Sequence, residues 1–243
     1  MANAKLIVPQ SANYEDVATS WGAVVQDDLL YVNFFNLLAY LDRNLARDID
    51  TTSEVVGSPV VTDEFVSLNE DDYIDTGILQ ESDSFTYIVV VKPSVDLKDI
   101  FVIGNYKGGT NAGAWLYLDD NGTEDGTLTA RFGSVHGGAA KLTSTGVLAV
   151  DTPYAFAVRY DATTLTKTIF SLTTDTSATT TLTTEMDGPS ANTILLGTSY
   201  TSANDAMADL YTAMIYGAAL TDDQIATQYA QIKSAMAING VAV

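Results

Sequence analysis

From Gly57 onward, apolar and polar positions alternate with period two. Phe85, Tyr87, Val89 and Val91 alternate with Thr86, Ile88 and Val90. Both faces are apolar at the end of that run, which predicts a central strand covered on both sides. Tyr154, Phe156, Val158 and Tyr160 alternate with Ala155, Ala157 and Arg159. Leu128–Phe132 and Leu210–Tyr216 follow the same rule, and Gly, Asn and Asp clusters separate the runs. Short, regularly spaced strands without intervening helices predict an all-β, antiparallel two-sheet β-sandwich. Asp120-Asn121-Gly122 and Asp161–Thr164 read as hairpin turns.

Two segments depart from period two. Leu30, Phe34, Leu37, Leu38, Leu41 and Leu45 fall on one face of a helix, with Asp27 or Asp28 as N-cap and Arg43 and Arg47 near the C-terminal end. Tyr31, Val32 and Phe35 lie off that face, so this predicted N-terminal helix needs more than one partner surface. Either it packs on its own sandwich, or Leu30, Phe34, Phe35, Leu37, Leu38, Leu41 and Leu45 mediate oligomerisation or docking into a larger assembly. At the other end, Thr221-Asp222-Asp223-Gln224 reads as a capping box, followed by Ile225, Tyr229, Ile232 and Met236 at helical spacing. A short amphipathic helix is expected there, lying on the sandwich. The chain thus divides into an attachment segment, residues 1–55, and a jelly-roll domain, residues 56–243.

Composition narrows the partners. Apolar residues make up 47% of 243, enough for a sizeable core. The formal charge is −20, from 31 acidic and 11 basic residues, which disfavours nucleic acid as a partner. The acidity reads as solubility or as divalent-cation binding. Cysteine is absent, so disulfides and thiolate metal sites are excluded. Neither a signal peptide nor an apolar stretch of the ~18 residues that a membrane span requires is expected.

Several segments carry a family resemblance. Tyr73-Ile74-Asp75-Thr76-Gly77, Ser84–Pro93, Thr152–Asp161, Thr193–Gly197 and Asp209–Ala230 occur in the order of the strands and closing helix of laminin-G-like jelly rolls. The chain resembles the concanavalin A-like lectin/glucanase superfamily over roughly residues 57–235. Gly57-Ser58-Pro59-Val60-Val61 followed by Tyr73–Gly77 is similar to bacteriophage virion proteins such as tail fibres, baseplate parts and capsid attachments. That resemblance implies a non-catalytic structural protein of the virion. It would be a homo-oligomer held among other virion proteins, its jelly roll facing outward to bind host-surface glycans. A free-standing lectin-like module and a glycan-degrading enzyme are the alternatives.

The residue chemistry bears on that choice. Hydrolases of this fold resemble one another through a Glu-x-Asp-x-x-Glu strand, which places carboxylates on one face. No such strand is present; Glu70, Asp71 and Asp72 are consecutive and precede the opening strand. His136 is the single histidine, in the apparent loop Gly133–Gly138, and reads as a surface residue or a ligand contact. No G-x-S-x-G nucleophile elbow appears. Long polar loops with aromatics are where such folds hold sugars. Asn105, Tyr106 and Asn111 of one loop, with Tyr200, Asn204 and Asp205 of another, are the candidates, against the simpler reading of ordinary loop residues. Asp119, Asp120, Asn121, Glu124 and Asp125 crowd a hairpin tip, which reads as a bare turn or as a Ca²⁺ site without EF-hand spacing. No other cofactor is expected. Trp115 alternates with Tyr117, and Leu116 with Leu118, so one of these faces is expected in the core.

Overall fold

The alternating segments become strands. The structure, a computed structural model, describes residues 22–35, 40–46, 49, 51–80, 82–94, 99–108, 113–120, 127–188, 190–201 and 206–243. In chain order the elements are β1 (Leu29–Phe34), β2 (Glu54–Val56), β3 (Val60–Val61), β4 (Val66–Leu68), β5 (Tyr73–Leu79), β6 (Phe85–Pro93), β7 (Ile100–Gly104), β8 (Ala114–Asp119), β9 (Thr127–His136), β10 (Ala139–Ala149), β11 (Tyr154–Asp161), β12 (Thr166–Ser171), β13 (Thr176–Thr181), β14 (Thr193–Leu196), β15 (Ala208–Tyr216) and α1 (Asp222–Ile238). They form two antiparallel sheets. Sheet A runs β13-β12-β11-β6-β15-β4-β3, with β1 also paired to β15; sheet B runs β10-β9-β8-β7-β14-β5-β2. This is the expected all-β sandwich with one C-terminal helix.

The inner faces of the sheets meet in one core. Phe85, Tyr87, Val89 and Val91 of β6 and Phe156, Val158 and Tyr160 of β11 face Leu116 and Leu118 of β8 and Leu128, Ala130 and Phe132 of β9. The Phe85 ring lies 4.7 Å from Tyr87 and meets Phe132 edge-on at 6.0 Å.

Sheet A is also apolar on its outer face, which explains the double-sided pattern of β6. Ile88, Val90, Ala155, Ala157 and Met214 lie beneath Ile225, Ile232 and Met236 of α1. Burying each of those helix side chains stabilises the fold by about 1.5–3 kcal/mol. The capping box forms as expected: Gln224 N–H donates to Thr221 Oγ1 at 3.2 Å, and Thr221 N–H donates to Gln224 Oε1 at 2.8 Å. Arg159 fixes the helix start, reaching Leu220 O and Asp222 Oδ1 at 2.7 Å each. No described helix is long and apolar enough to cross a membrane.

The expected N-terminal helix is corrected. Leu29–Phe34 is strand β1, paired with Thr212–Tyr216 of β15. The run LLYVNF is rich in strand formers, and in the strand Leu30 packs against the inner core while Phe34 packs against the outer cluster, so the two do not share the single face that a helix would give them. The decisive factor is non-local. β4 pairs only with Ala208–Leu210 of β15, leaving the rest of that edge for β1. The β1 register shifts between Leu29 and Tyr31. Tyr31 and Phe35 therefore enter the inner core, while Leu29 and Val32 join the outer cluster.

The candidate assembly residues are correspondingly absorbed. Phe35 and Leu41 are completely buried in the chain's own core, and Leu30, Phe34 and Leu45 are partly buried against the two clusters. Leu37 and Leu38 lie outside the described residues. Of the two readings of this segment, packing against its own sandwich is the one these five residues follow.

Two asparagines tie the chain after β1 back onto that strand. Asn33 Nδ2 donates to Tyr40 O at 2.8 Å and Arg43 O at 3.0 Å. Asn44 Nδ2 donates to Leu30 O at 2.7 Å, while its Oδ1 accepts from Val32 N at 3.2 Å and Ala46 N at 3.0 Å. Asn44→Ala removes two bonds to the strand edge and one within the loop and is expected to cost about 2 kcal/mol. A lowered urea midpoint with an unchanged m-value will show it.

Candidate functional site

With sheet A covered on both faces, the outer face of sheet B is the broad surface that no other described element covers. Tyr73 and Asp75 of β5, Phe101 of β7, Tyr117 of β8 and Arg131 of β9 are partly exposed on it. The alternation of β8 sorts its side chains as the sequence suggested: Leu116 and Leu118 point into the core, Trp115 and Tyr117 outward.

Two of the sequence-selected loops meet at this face. Tyr200 N–H donates to Tyr106 O at 3.1 Å, so the chain following β7 and the chain following β14 run side by side. Tyr106 stacks on Trp115 with ring centroids 3.9 Å apart. The indole is 4% exposed and lies over Gly133, where an added Cβ would come within 2.1 Å of the ring. Asn105 is fully buried, and its Oδ1 accepts from Ala114 N at 2.9 Å. It positions the loop and is not available to a ligand. Asn111, Asn204 and Asp205 lie outside the described residues.

Beside Tyr200 is a shallow depression of about 430 Å³, lined by Glu70, Asp71, Tyr73, Leu195, Thr198, Ser199 and Tyr200. Tyr200 is 37% exposed, and its hydroxyl is tied to Thr193 Oγ1 at 2.7 Å and to Thr193 O at 3.2 Å. With the hydroxyl anchored, the ring is held in one orientation before any ligand arrives. Burial raises the Tyr200 phenol pKa, so the group stays neutral at physiological pH. Sequence reasoning found Tyr200 but passed over Tyr73, Thr198 and Ser199. Glu70 and Asp71 stood out only as consecutive acids that precede the opening strand. Their approach to Tyr200 depends on β5 and β14 being neighbours, which no local pattern announces.

His136 is corrected. It ends strand β9 and is 3% exposed, not part of a surface loop. The turn is only Gly137-Gly138, with φ of 57° and 73°, values that match a two-residue hairpin linking His136 to Ala139. Phe132, Ser134 and His136 continue one inward-facing row. His136 Nε2 and Ser134 Oγ are 2.8 Å apart, and Nδ1 lies 3.1 Å from Thr184 O. The pair has the spacing of a nucleophile and its base, but Ser134 is completely buried and no substrate can reach it.

Lys167 completes this internal cluster. It is fully buried and donates to Phe132 O at 3.2 Å, to Ser134 Oγ at 3.5 Å and to the Lys141 carbonyl. Burial pulls its pKa down to about 7 and, in the same way, lowers that of His136.

The acidic hairpin tip is only partly described. Asp119 and Asp120 come together with Asp99, their carboxylates within 4.8 Å of one another, and Asp119 pairs with Arg131 at 2.6 Å. Burial raises the Asp99 pKa. One of the three carboxylates is thus already matched by a guanidinium. Asn121, Glu124 and Asp125 lie outside the described residues.

A family model described as the concanavalin A-like lectin/glucanases superfamily matches residues 68–226, well over half of the chain. The chain belongs to this superfamily. Among curated protein sequences nothing matches it. Solved structures of the same fold include the receptor-binding domain of botulinum neurotoxin C/D mosaic serotype, at 12% identity and TM-score 0.57, covering 86% of this chain and 52% of that one. The binding domain of Paraclostridial Mosquitocidal Protein 1 matches at 14% identity and TM-score 0.61, covering 85% and 53%. The binding domain of botulinum neurotoxin DC, solved in complex with SialylT, matches at 11% identity and TM-score 0.61, covering 85% and 52%. The superfamily chain described here therefore spans about half the length of those domains, and at such identity the likeness is one of fold.

Proposed function

We propose that this chain is a non-catalytic glycan-binding module whose site is the depression between Tyr73 and Tyr200. The observation that carries the reading is the preset ring of Tyr200 in a depression that Tyr73 and the carboxylate side chains Glu70 and Asp71 also line. Sugars offer a flat apolar face for stacking and a fringe of hydroxyls that donate to carboxylates, and this lining supplies both. The burial of Ser134 supports the non-catalytic part of the reading. Screening the purified chain on a glycan array, then repeating with Tyr200→Ala, tests the site. Loss of at least about tenfold in affinity, equivalent to about 1.4 kcal/mol, is expected. Undiminished binding by Tyr200→Ala would place the site elsewhere, and release of reducing ends from a bound glycan would overturn the non-catalytic reading.

The lining also sets a charge preference. Glu70 and Asp71 line the depression and Asp75 shares its face of β5, on a chain of net charge −20. Like charges across an interface are unfavourable. A sialylated glycan is therefore expected to bind more weakly than the same glycan without sialic acid, and the gap should narrow as salt is raised from 0.05 to about 0.5 M. Paired array spots read at the two salt concentrations check this.

The wider setting, a bacteriophage virion component that binds a host-surface glycan as a homo-oligomer, rests on the sequence resemblance of Gly57–Val61 and Tyr73–Gly77. With Phe35 and Leu41 buried in the chain's own core, an oligomer would have to use other surfaces. Light scattering on the full chain reports the mass directly, and a monomer would count against this setting.

A further inference from the structure

The strand register of sheet B places more aromatic surface in line with the depression. Asp75 pairs with Leu195, Leu195 with Gly104, and Gly104 with Trp115, which fixes one level across four strands. At the next outward-facing level, Tyr73 of β5 lies beside the end of β14, where Gly197 N–H donates to Val102 O at 3.0 Å. Phe101 of β7 pairs at this level with Tyr117 of β8. Tyr73, Phe101 and Tyr117 thus form a row perpendicular to the strands. The Phe101 and Tyr117 rings stack with centroids 5.6 Å apart and planes 20° apart, and both are partly exposed. With neighbouring strands about 4.8 Å apart, the row from β5 to β8 spans roughly 14 Å, more than one sugar ring can cover. Beyond Tyr117 stands Arg131, held by its ion pair with Asp119.

We propose that the site continues along this row as a cleft for an extended oligosaccharide, with Tyr73 and Tyr200 forming one subsite and Phe101 and Tyr117 the next. The proposal rests on the reading of this face as glycan-binding and adds to it the class of ligand: an internal stretch of a glycan chain rather than a single terminal sugar. Three features point that way. The rings are aligned across the sheet, they follow on from the groove at Tyr73, and polar groups flank both ends. Aromatic surface on β5 and again on β7 and β8, with only Gly197 at the end of β14 between them, suits a ligand that itself repeats a flat ring.

Titration calorimetry of the full chain tests this with size ladders, from monosaccharide to hexasaccharide, of β-1,3-gluco-, β-1,4-gluco-, manno- and N-acetylglucosamine oligosaccharides. For the ladder that binds, affinity is expected to climb at least about tenfold between monosaccharide and tetrasaccharide. Tyr117→Ala should bring the tetrasaccharide down to near the disaccharide's affinity, whereas Tyr200→Ala should weaken every length. Thermal melts of both variants show that they remain folded. A length-independent wild type whose binding is still lost in Tyr200→Ala overturns the extended cleft and leaves the glycan site standing. So does a Tyr117→Ala variant with the full wild-type ladder. Absence of binding to every ladder overturns both.

Discussion

Replacing Gly133 with valine is expected to destabilise the sandwich by about 3 kcal/mol and to dismantle the Tyr106–Trp115 stack. A Cβ at this position would lie 2.1 Å from Trp115 Cε2 and 2.2 Å from Cζ2. No real contact is that short, so the indole has to leave its place over the strand. It cannot lift directly outward, because Tyr106 covers it at 3.9 Å. Either the loop after β7 opens or β9 moves away from β8, and overpacking of this kind costs about 1–3 kcal/mol before the lost stack is counted. Trp21 and Trp115 are the two tryptophans. In a Trp21→Phe background, Trp115 is then the sole reporter, and its emission should shift to the red in Gly133→Val. Because the clash is with one side chain, Trp115→Ala combined with Gly133→Val should be markedly less than additive in a double-mutant cycle. Full additivity would show that the indole does not lie over Gly133. Tyr106 leans on the same indole and its carbonyl holds Tyr200, so glycan binding should weaken together with stability.

Lys167→Met is expected to reverse its effect on stability as the pH is raised. The lysine is buried and its pKa falls from the ordinary 10.5 to about 7. Between those values the unfolded chain holds a proton that the folded chain has released, so the wild type gains stability as pH rises through this window. Below about pH 7 both states are protonated and the folded state carries the whole penalty of a buried ammonium. Each tenfold change in proton affinity is worth about 1.4 kcal/mol, so the full span amounts to about 5 kcal/mol. Methionine removes that dependence. It also removes the bonds to the carbonyls of Phe132 and Lys141, a loss of about 1–2 kcal/mol at any pH. The variant should therefore be more stable than the wild type at pH 6.5 and no more stable, or less, at pH 10. Denaturant melts at intervals between these values measure the difference. His136, which is also depressed by burial, titrates below its ordinary 6.5 and so drops out of this window. A constant difference across the range would mean that Lys167 keeps its ammonium without penalty.

Both residues illustrate what was hidden in the chain. Gly133 looked like the start of a glycine-bearing loop because Gly137 and Gly138 follow closely, yet it is a strand residue that makes room for an indole on the neighbouring strand. Lys167 follows the expected Asp161–Thr164 turn, and nothing local marks it as buried. Its direction became inward only because β12 lies between β11 and β13 over the end of β9. The loop residues Tyr106 and Tyr200 were legible as candidates beside the simpler reading of ordinary loop residues, because long polar loops with aromatics are where such folds hold sugars. Tyr73 and Tyr117 were visible only as strand residues and Phe101 was not marked at all, because their alignment depends on which strands are neighbours.

Local chemistry determined the elements and the fold class. Period-two alternation fixes which face of a strand is apolar, and the Thr221 capping box with the spacing of Ile225, Ile232 and Met236 specifies a helix without reference to anything distant. Those rules act over a few residues, so they survive without knowledge of the partner. The fate of Leu29–Phe34 was decided by the tertiary structure, because a short run apolar on more than one side suits both helix and strand and the edge of β15 selects the strand. The proposed site depends on the tertiary structure in the same way. Its rings come from β5, β7, β8 and the loop after β14, and only the order of strands in sheet B brings residues so far apart in the chain into one row.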